Sequence, residues 1–179
     1  NRIYRGQIPA DKAVAQLTLA DGTTTYFYTS LSNAVVGANN NPGSTLKLLQ
    51  DASTPGRIAL SKSYTVDLNG KTWDVNGYLE VRATGDVHFI NSNKDQGGTL
   101  DGTDSAVFVL SIRGGSVTIG EDVTVIGNTI LLANADNGKL TVYGTIDTTG
   151  TQNAPIMGNG SGNSENTVIT IKEGAKIIA

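Results

Sequence analysis

Four aspartates crowd one short stretch of the chain: Asp86, Asp95, Asp101 and Asp104. Grouped carboxylates can hold a Ca²⁺ ion, or divide the roles of acid and base in breaking a glycosidic bond. An eliminating enzyme would also need a basic residue to take a proton, and Arg82 or Arg113 is the candidate. The set falls short of an enzyme motif, because Leu100-Asp101-Gly102 is too short to count as one. The same carboxylates serve equally well as turn caps on a wetted surface. The balance is against an enzyme: no catalytic residue is assigned, and the only cofactor in view is Ca²⁺ at these aspartates.

His88 is the only histidine. One imidazole excludes a His-pair zinc site and leaves any Ser–His–Asp arrangement dependent on this residue. It alternates with Val87 and Phe89, which turns it outward from a strand. Cysteine is absent, which removes disulfides, thiol catalysis and cysteine-based metal sites. The glycine-rich run from Gly158 to Gly162 lacks a Lys-Ser/Thr pair and a following helix, so it is not a phosphate loop. Tyr64, Trp73, Tyr78 and Tyr143 could stack on the C–H face of a sugar ring if exposed. Trp73 shares parity with Val75, which directs it inward, whereas Tyr143 alternates with Val142 and is expected outside. The candidate ligand-binding residues are therefore Tyr78, Tyr143, Asp95, Asp101 and Asp104.

These residues need a scaffold, and the chain supplies a repeated strand–turn–strand phrase. It reads Val117-Thr118-Ile119-Gly120-Glu121-Asp122-Val123-Thr124-Val125, then Leu140-Thr141-Val142-Tyr143-Gly144-Thr145-Ile146, then Val168-Ile169-Thr170-Ile171-Lys172-Glu173-Gly174. An earlier relative runs from Thr65 to Val75. One such unit cannot bury its apolar side alone, but stacked copies can, which predicts a solenoid. Leu68, Ile90, Ile119, Val142 and Ile171 are aligned as comparable positions, at uneven steps that suit coils with loops of different length. Asn69 and Asn91 are expected at matching corners, bonded along the stack.

The other strands are expected at Thr45–Leu49, Arg57–Leu60, Tyr64–Leu68, Leu79–Arg82, Val87–Ile90, Thr99–Leu100 and Val107–Leu110. Longer inserts are expected at Asn91–Gly98, at the turn Asn134–Gly138, and at Thr148–Asn166, the last as a surface loop. Before them, Ala13–Leu19 and Thr24–Tyr28 read as a hairpin turning at Asp21-Gly22. Leu31, Ala34, Val35 and Ala38 give one apolar face of a short helix with Ser30 as N-cap. Such a helix would cover the apolar end of the first coil.

With 179 residues and 38% hydrophobic content, the chain suits one domain with a substantial core. It divides into a hairpin and capping helix over 1–43 and solenoid coils over 44–179. Net charge is −3, and no basic patch interleaved with aromatics is visible, which argues against nucleic acid. No apolar run approaches the length that spans a bilayer. The chain opens at Asn1 without Met or a leader, as expected for a processed or excised fragment. It ends inside an apolar strand at Ile177-Ile178, an assembly end that further protein or a partner subunit would cover.

Thr45-Leu46-Lys47-Leu48-Leu49-Gln50-Asp51 and Val66-Asp67-Leu68-Asn69-Gly70-Lys71-Thr72, with Gly97–Gly102 and Gly115–Ile119, carry a resemblance over residues 26–179. They resemble the right-handed parallel β-helix modules, of pectin-lyase-like type, found in large bacterial cell-surface proteins. The resemblance implies an all-β, right-handed parallel β-helix behind a short N-terminal capping helix, displayed outside the cell. The function it implies is non-enzymatic: adhesion to a surface glycan or a host protein, ligand display, or a rigid spacer. A polysaccharide lyase or glycoside hydrolase of the β-helix type, and a self-assembling fibre subunit, are the alternatives.

Overall fold

Period-two alternation decides the architecture, because it puts every second side chain of the repeated phrase on one side of a strand. In the computed structural model, which describes residues 8–105, 108–133, 137–159 and 166–179, these strands stack into an all-β solenoid of about five turns. The expected strand from Val107 and the turn from Asn134 reach beyond the described residues, as do the Gly158–Gly162 run and the Thr148–Asn166 insert.

The N-terminal hairpin forms as expected. β1 (Ala15–Thr18) and β2 (Thr25–Tyr28) pair antiparallel around the Asp21-Gly22 turn. Asp21 closes that turn by accepting the Thr23 and Thr24 amides, each at 2.8 Å, and the Thr24 hydroxyl at 2.6 Å. The helix α1 (Leu31–Asn40) buries Leu31, Ala34, Val35 and Ala38, the face read from their spacing. Ser30 occupies the N-cap position in an extended conformation, but its hydroxyl makes no capping hydrogen bond. Asn39 fixes the helix instead, donating to the Ala59 carbonyl at 2.8 Å and accepting the Ser61 amide at 2.9 Å.

Three walls follow. The first holds β3 (Thr45–Leu48), β5 (Ser63–Asp67), β7 (Asp86–Ile90), β10 (Gly115–Ile119), β13 (Gly138–Val142) and β16 (Val168–Ile171), all parallel. β1 adds to it antiparallel beside β3, so the hairpin continues the wall. The second holds the first halves of β4 (Ala52–Leu60) and β6 (Thr72–Arg82), then β8 (Gly98–Asp101), β11 (Val123–Ile126), β14 (Thr145–Asp147) and β17 (Lys176–Ile178). The third holds the second halves of β4 and β6, then β9 (Leu110–Arg113), β12 (Ile130–Ala133) and β15 (Ile156–Asn159).

The core is a set of vertical columns. Val66, Phe89, Ile119, Val142 and Ile171 are register partners on the first wall. The alignment by sequence was correct from Ile119 onward but one residue late at Ile90 and two late at Leu68. A slip of one residue turns a side chain to the other face, and Ile90 is 39% exposed while Phe89 is fully buried. Trp73 is also fully buried, and its indole N–H donates to Thr54 Oγ1 at 2.8 Å.

Two further expectations are corrected. The strand placed at Val107–Leu110 is β9, Leu110–Arg113. The Thr148–Asn166 insert contains β15, paired with β12 through Ile130↔Ile156. Its Ile-Met-Gly-Asn sequence carries too little alternation to declare itself, and the partner strand supplies the ladder. β12 itself was not singled out in the sequence.

Candidate functional site

On the first wall the inward columns force the intervening residues outward. Thr18, Thr45, Thr65, His88, Thr118, Thr141 and Thr170 stand opposite one another, strand by strand. Rungs lie about 4.8 Å apart in such a sheet. The result is a straight row of hydroxyls broken by one imidazole. A shorter row on the second wall holds Thr72, Thr99, Thr124 and Thr145. His88 is exposed, as its alternation indicated, and its Nε2 lies 3.3 Å from Asp86 Oδ1. Beside this pair a shallow depression is lined by Ser44, Ser63, Tyr64 and Thr65. Burial pushes the Tyr64 hydroxyl well above the usual tyrosine range. Tyr64 is only 4% exposed, so it is core and not a sugar platform.

The two other tyrosines remain accessible. Tyr143 leaves the first wall at a corner, 37% exposed, with Lys172 Nζ 5.7 Å from its ring centroid. Tyr78 is half-buried on the third wall, edge-to-face with Phe108 at 4.9 Å and 70°.

The aspartates are dispersed over different elements. Asp86 is on the first wall, Asp95 is in the loop after it, and Asp101 ends β8. Asp104 lies in the turn that follows. Asp101 is a turn cap, accepting the Thr103 amide at 2.9 Å and its hydroxyl at 2.6 Å. Asp147 repeats the device with Thr149, whose hydroxyl and amide hold its carboxyl below the usual range. Among the described residues no three His, Cys, Asp or Glu side chains gather as a metal-holding group. The corner asparagines do bind across coils, though offset by one position: Asn69 donates to the Leu48 carbonyl, and Asn91 accepts the Gly70 amide.

The cluster that sequence reading missed is on the third wall. Glu80 is surrounded by Arg82 at 2.9 Å, Arg113 at 3.5 Å and Arg57 at 3.7 Å. These arginines are separated by roughly one coil each along the chain, so the linear sequence shows no basic patch. The stacking makes one, and Arg82 and Arg113 become direct register partners. Tyr78 is the register partner of Arg57. Arg82 and Arg113, the candidates for a proton-accepting base, both pair with Glu80.

At the far end, Ile169, Ile171 and Ile177 occupy the inward columns of Leu140, Val142 and Ile146 yet are 47%, 46% and 41% exposed. Ile178 is 39% exposed beside them. No family model, curated protein or solved structure matches the chain.

Proposed function

We propose that this protein is a non-enzymatic binding module that holds a repetitive glycan along its first wall. The reading places it outside the cell, in a bacterial surface protein of the parallel β-helix, pectin-lyase-like type. The observation that carries it is the straight outward row from Thr18 to Thr170. A row of donors and acceptors repeating at rung spacing suits a polymer that also repeats, and Tyr143 offers a ring face at the row's edge. The hydroxyls stand on a rigid sheet, so little conformational entropy is lost when a ligand docks. The test is retention of the purified protein on a panel of insoluble polysaccharides and bacterial cell walls. Retention on one polymer, lost in Thr118→Val/Thr141→Val with unchanged thermal unfolding, supports the reading. Retention on none of them refutes it.

A second reading has its own observation, the exposed Ile169, Ile171 and Ile177 on the last coil described. Association through that end would bury them. The opposite end is covered by α1, so the geometry favours pairing of like ends over an indefinite fibre. Sedimentation should then show a concentration-dependent dimer that Ile177→Asp abolishes; a monomer at high concentration rejects it.

A further inference from the structure

We propose that the third wall carries a binding site for the anionic group, carboxylate or sulfate, of an acidic saccharide, held by Arg57, Arg82 and Arg113. The charge does not balance locally. Three guanidiniums meet one carboxylate, an excess of two positive charges on a chain of net charge −3. The carboxylate is the floor of the cluster and the guanidiniums are its rim. The Glu80 side chain is 5% exposed, whereas Arg57, Arg82 and Arg113 are 54%, 48% and 50% exposed. A guanidinium has five N–H donors in a planar fork that matches a carboxylate or sulfate edge. Arg82 places its Nε–H on Glu80 while its side chain stays 48% exposed.

Like charges directly opposite across a strand pair are unfavourable. Arg82 and Arg113 are in that relation, with Glu80 as the one anion between them. A second anion would relieve the repulsion. Ser111 adds an unspent group: it is the register partner of Glu80, its side chain is fully buried, and its hydroxyl has no hydrogen-bond partner among the described residues. Tyr78, the register partner of Arg57, and Phe108, edge-to-face with Tyr78, offer apolar surface for the C–H face of a sugar carrying the anion.

The surroundings select a single anionic substituent over a continuous polyanion. Asp74, Asp101 and Asp147 share one column, interrupted by Ile126, where the second wall turns toward the third. That acidic edge and the negative net charge repel a long phosphate backbone.

The proposal rests on the glycan reading for the carrier of the anion, and the two can fail separately. The experiment is calorimetric titration of the intact protein with an oligogalacturonate, a sulfated oligosaccharide and a neutral oligosaccharide of equal length, with a short oligonucleotide as the competing polyanion. Either acidic saccharide should bind in a way that needs the arginines, the neutral one should give no arginine-dependent binding, and added salt should weaken the acidic complex. Arg113→Gln and, separately, Arg57→Gln should weaken binding about tenfold or more while Trp73 fluorescence remains that of the folded protein. Glu80→Gln should bind at least as tightly, because it removes the competing carboxylate; arginines that merely neutralise Glu80 would gain no ligand from that change. Absence of binding by both acidic saccharides overturns the site, even if neutral polysaccharides are retained on the first wall. Binding indifferent to both arginine substitutions overturns it as well. A preference for the oligonucleotide, with the same arginine dependence, overturns the saccharide as its ligand.

Discussion

Substituting Phe89 and Ile90 separately by Ala tests the stacking register directly. The two are sequence neighbours of similar hydrophobicity, and they differ in which face of β7 they occupy. Phe89 is fully buried between Val66 and Ile119 in its column. Truncating a buried Phe to Ala costs about 3–5 kcal/mol, through lost transfer energy and the cavity left behind. Ile90 keeps 39% of its surface in water, so its truncation leaves no enclosed cavity. Its truncation should cost about 1 kcal/mol or less. The gap, about 2–4 kcal/mol, is roughly a 30- to 700-fold difference in the folding equilibrium. Urea unfolding followed by fluorescence reads it, because Trp73 is the only tryptophan and lies one coil from Phe89. Stacked coils can unfold in stages, so the probe should report this local unit. Equal losses for the two variants, or a larger loss for Ile90→Ala, would refute the register.

Three other outcomes follow from single contacts. Thr54→Val leaves the buried Trp73 indole N–H without its acceptor and should cost about 1–3 kcal/mol in urea unfolding, with a shifted indole N–H resonance. Hydrogen bonds from the Thr24 hydroxyl, then from the Thr24 and Thr23 amides, lower the Asp21 carboxyl to about 2 from a usual 3.8. Its contribution to stability is therefore complete above about pH 3.8 and is lost as pH falls toward 2; a carboxyl carbon titration should place the midpoint near 2, and Asp21→Asn should remove that pH dependence. Gly115 has φ +101°, and a Cβ there would run into the Arg82 and Gly85 carbonyls. Gly115→Ala should accordingly lower stability by about 1–3 kcal/mol, visible as a reduced thermal midpoint.

Much of the scaffold was legible because alternation and corner chemistry are local. The helix face at Leu31, Ala34, Val35 and Ala38, the hairpin at Asp21-Gly22 and the inward Trp73 each depend on residues close in sequence. Coil register was less legible. Leu68 and Ile90 are apolar but stand at a corner and on an outer face, and only the ladder tells them from Val66 and Phe89. β15 escaped notice for a related reason, since a short strand at the end of a ladder takes its order from its neighbour. The arginine cluster was hidden by the period itself. Arg57, Arg82 and Arg113 are each one coil apart, and a buried Glu80 binds them only after the coils close. Asp101 caps its turn through Thr103, and the four aspartates close in sequence stand on β7, in the loop after it, at the end of β8 and in the turn that follows.

Glycan binding by the first wall, as proposed, is read by a pull-down of wild-type protein and Thr118→Val/Thr141→Val on the same set of insoluble polysaccharides. Wild type should be retained on a particular polymer, and the double variant, equally folded, should be released into the supernatant. Equal retention of both, or retention of neither on any polymer, would contradict it.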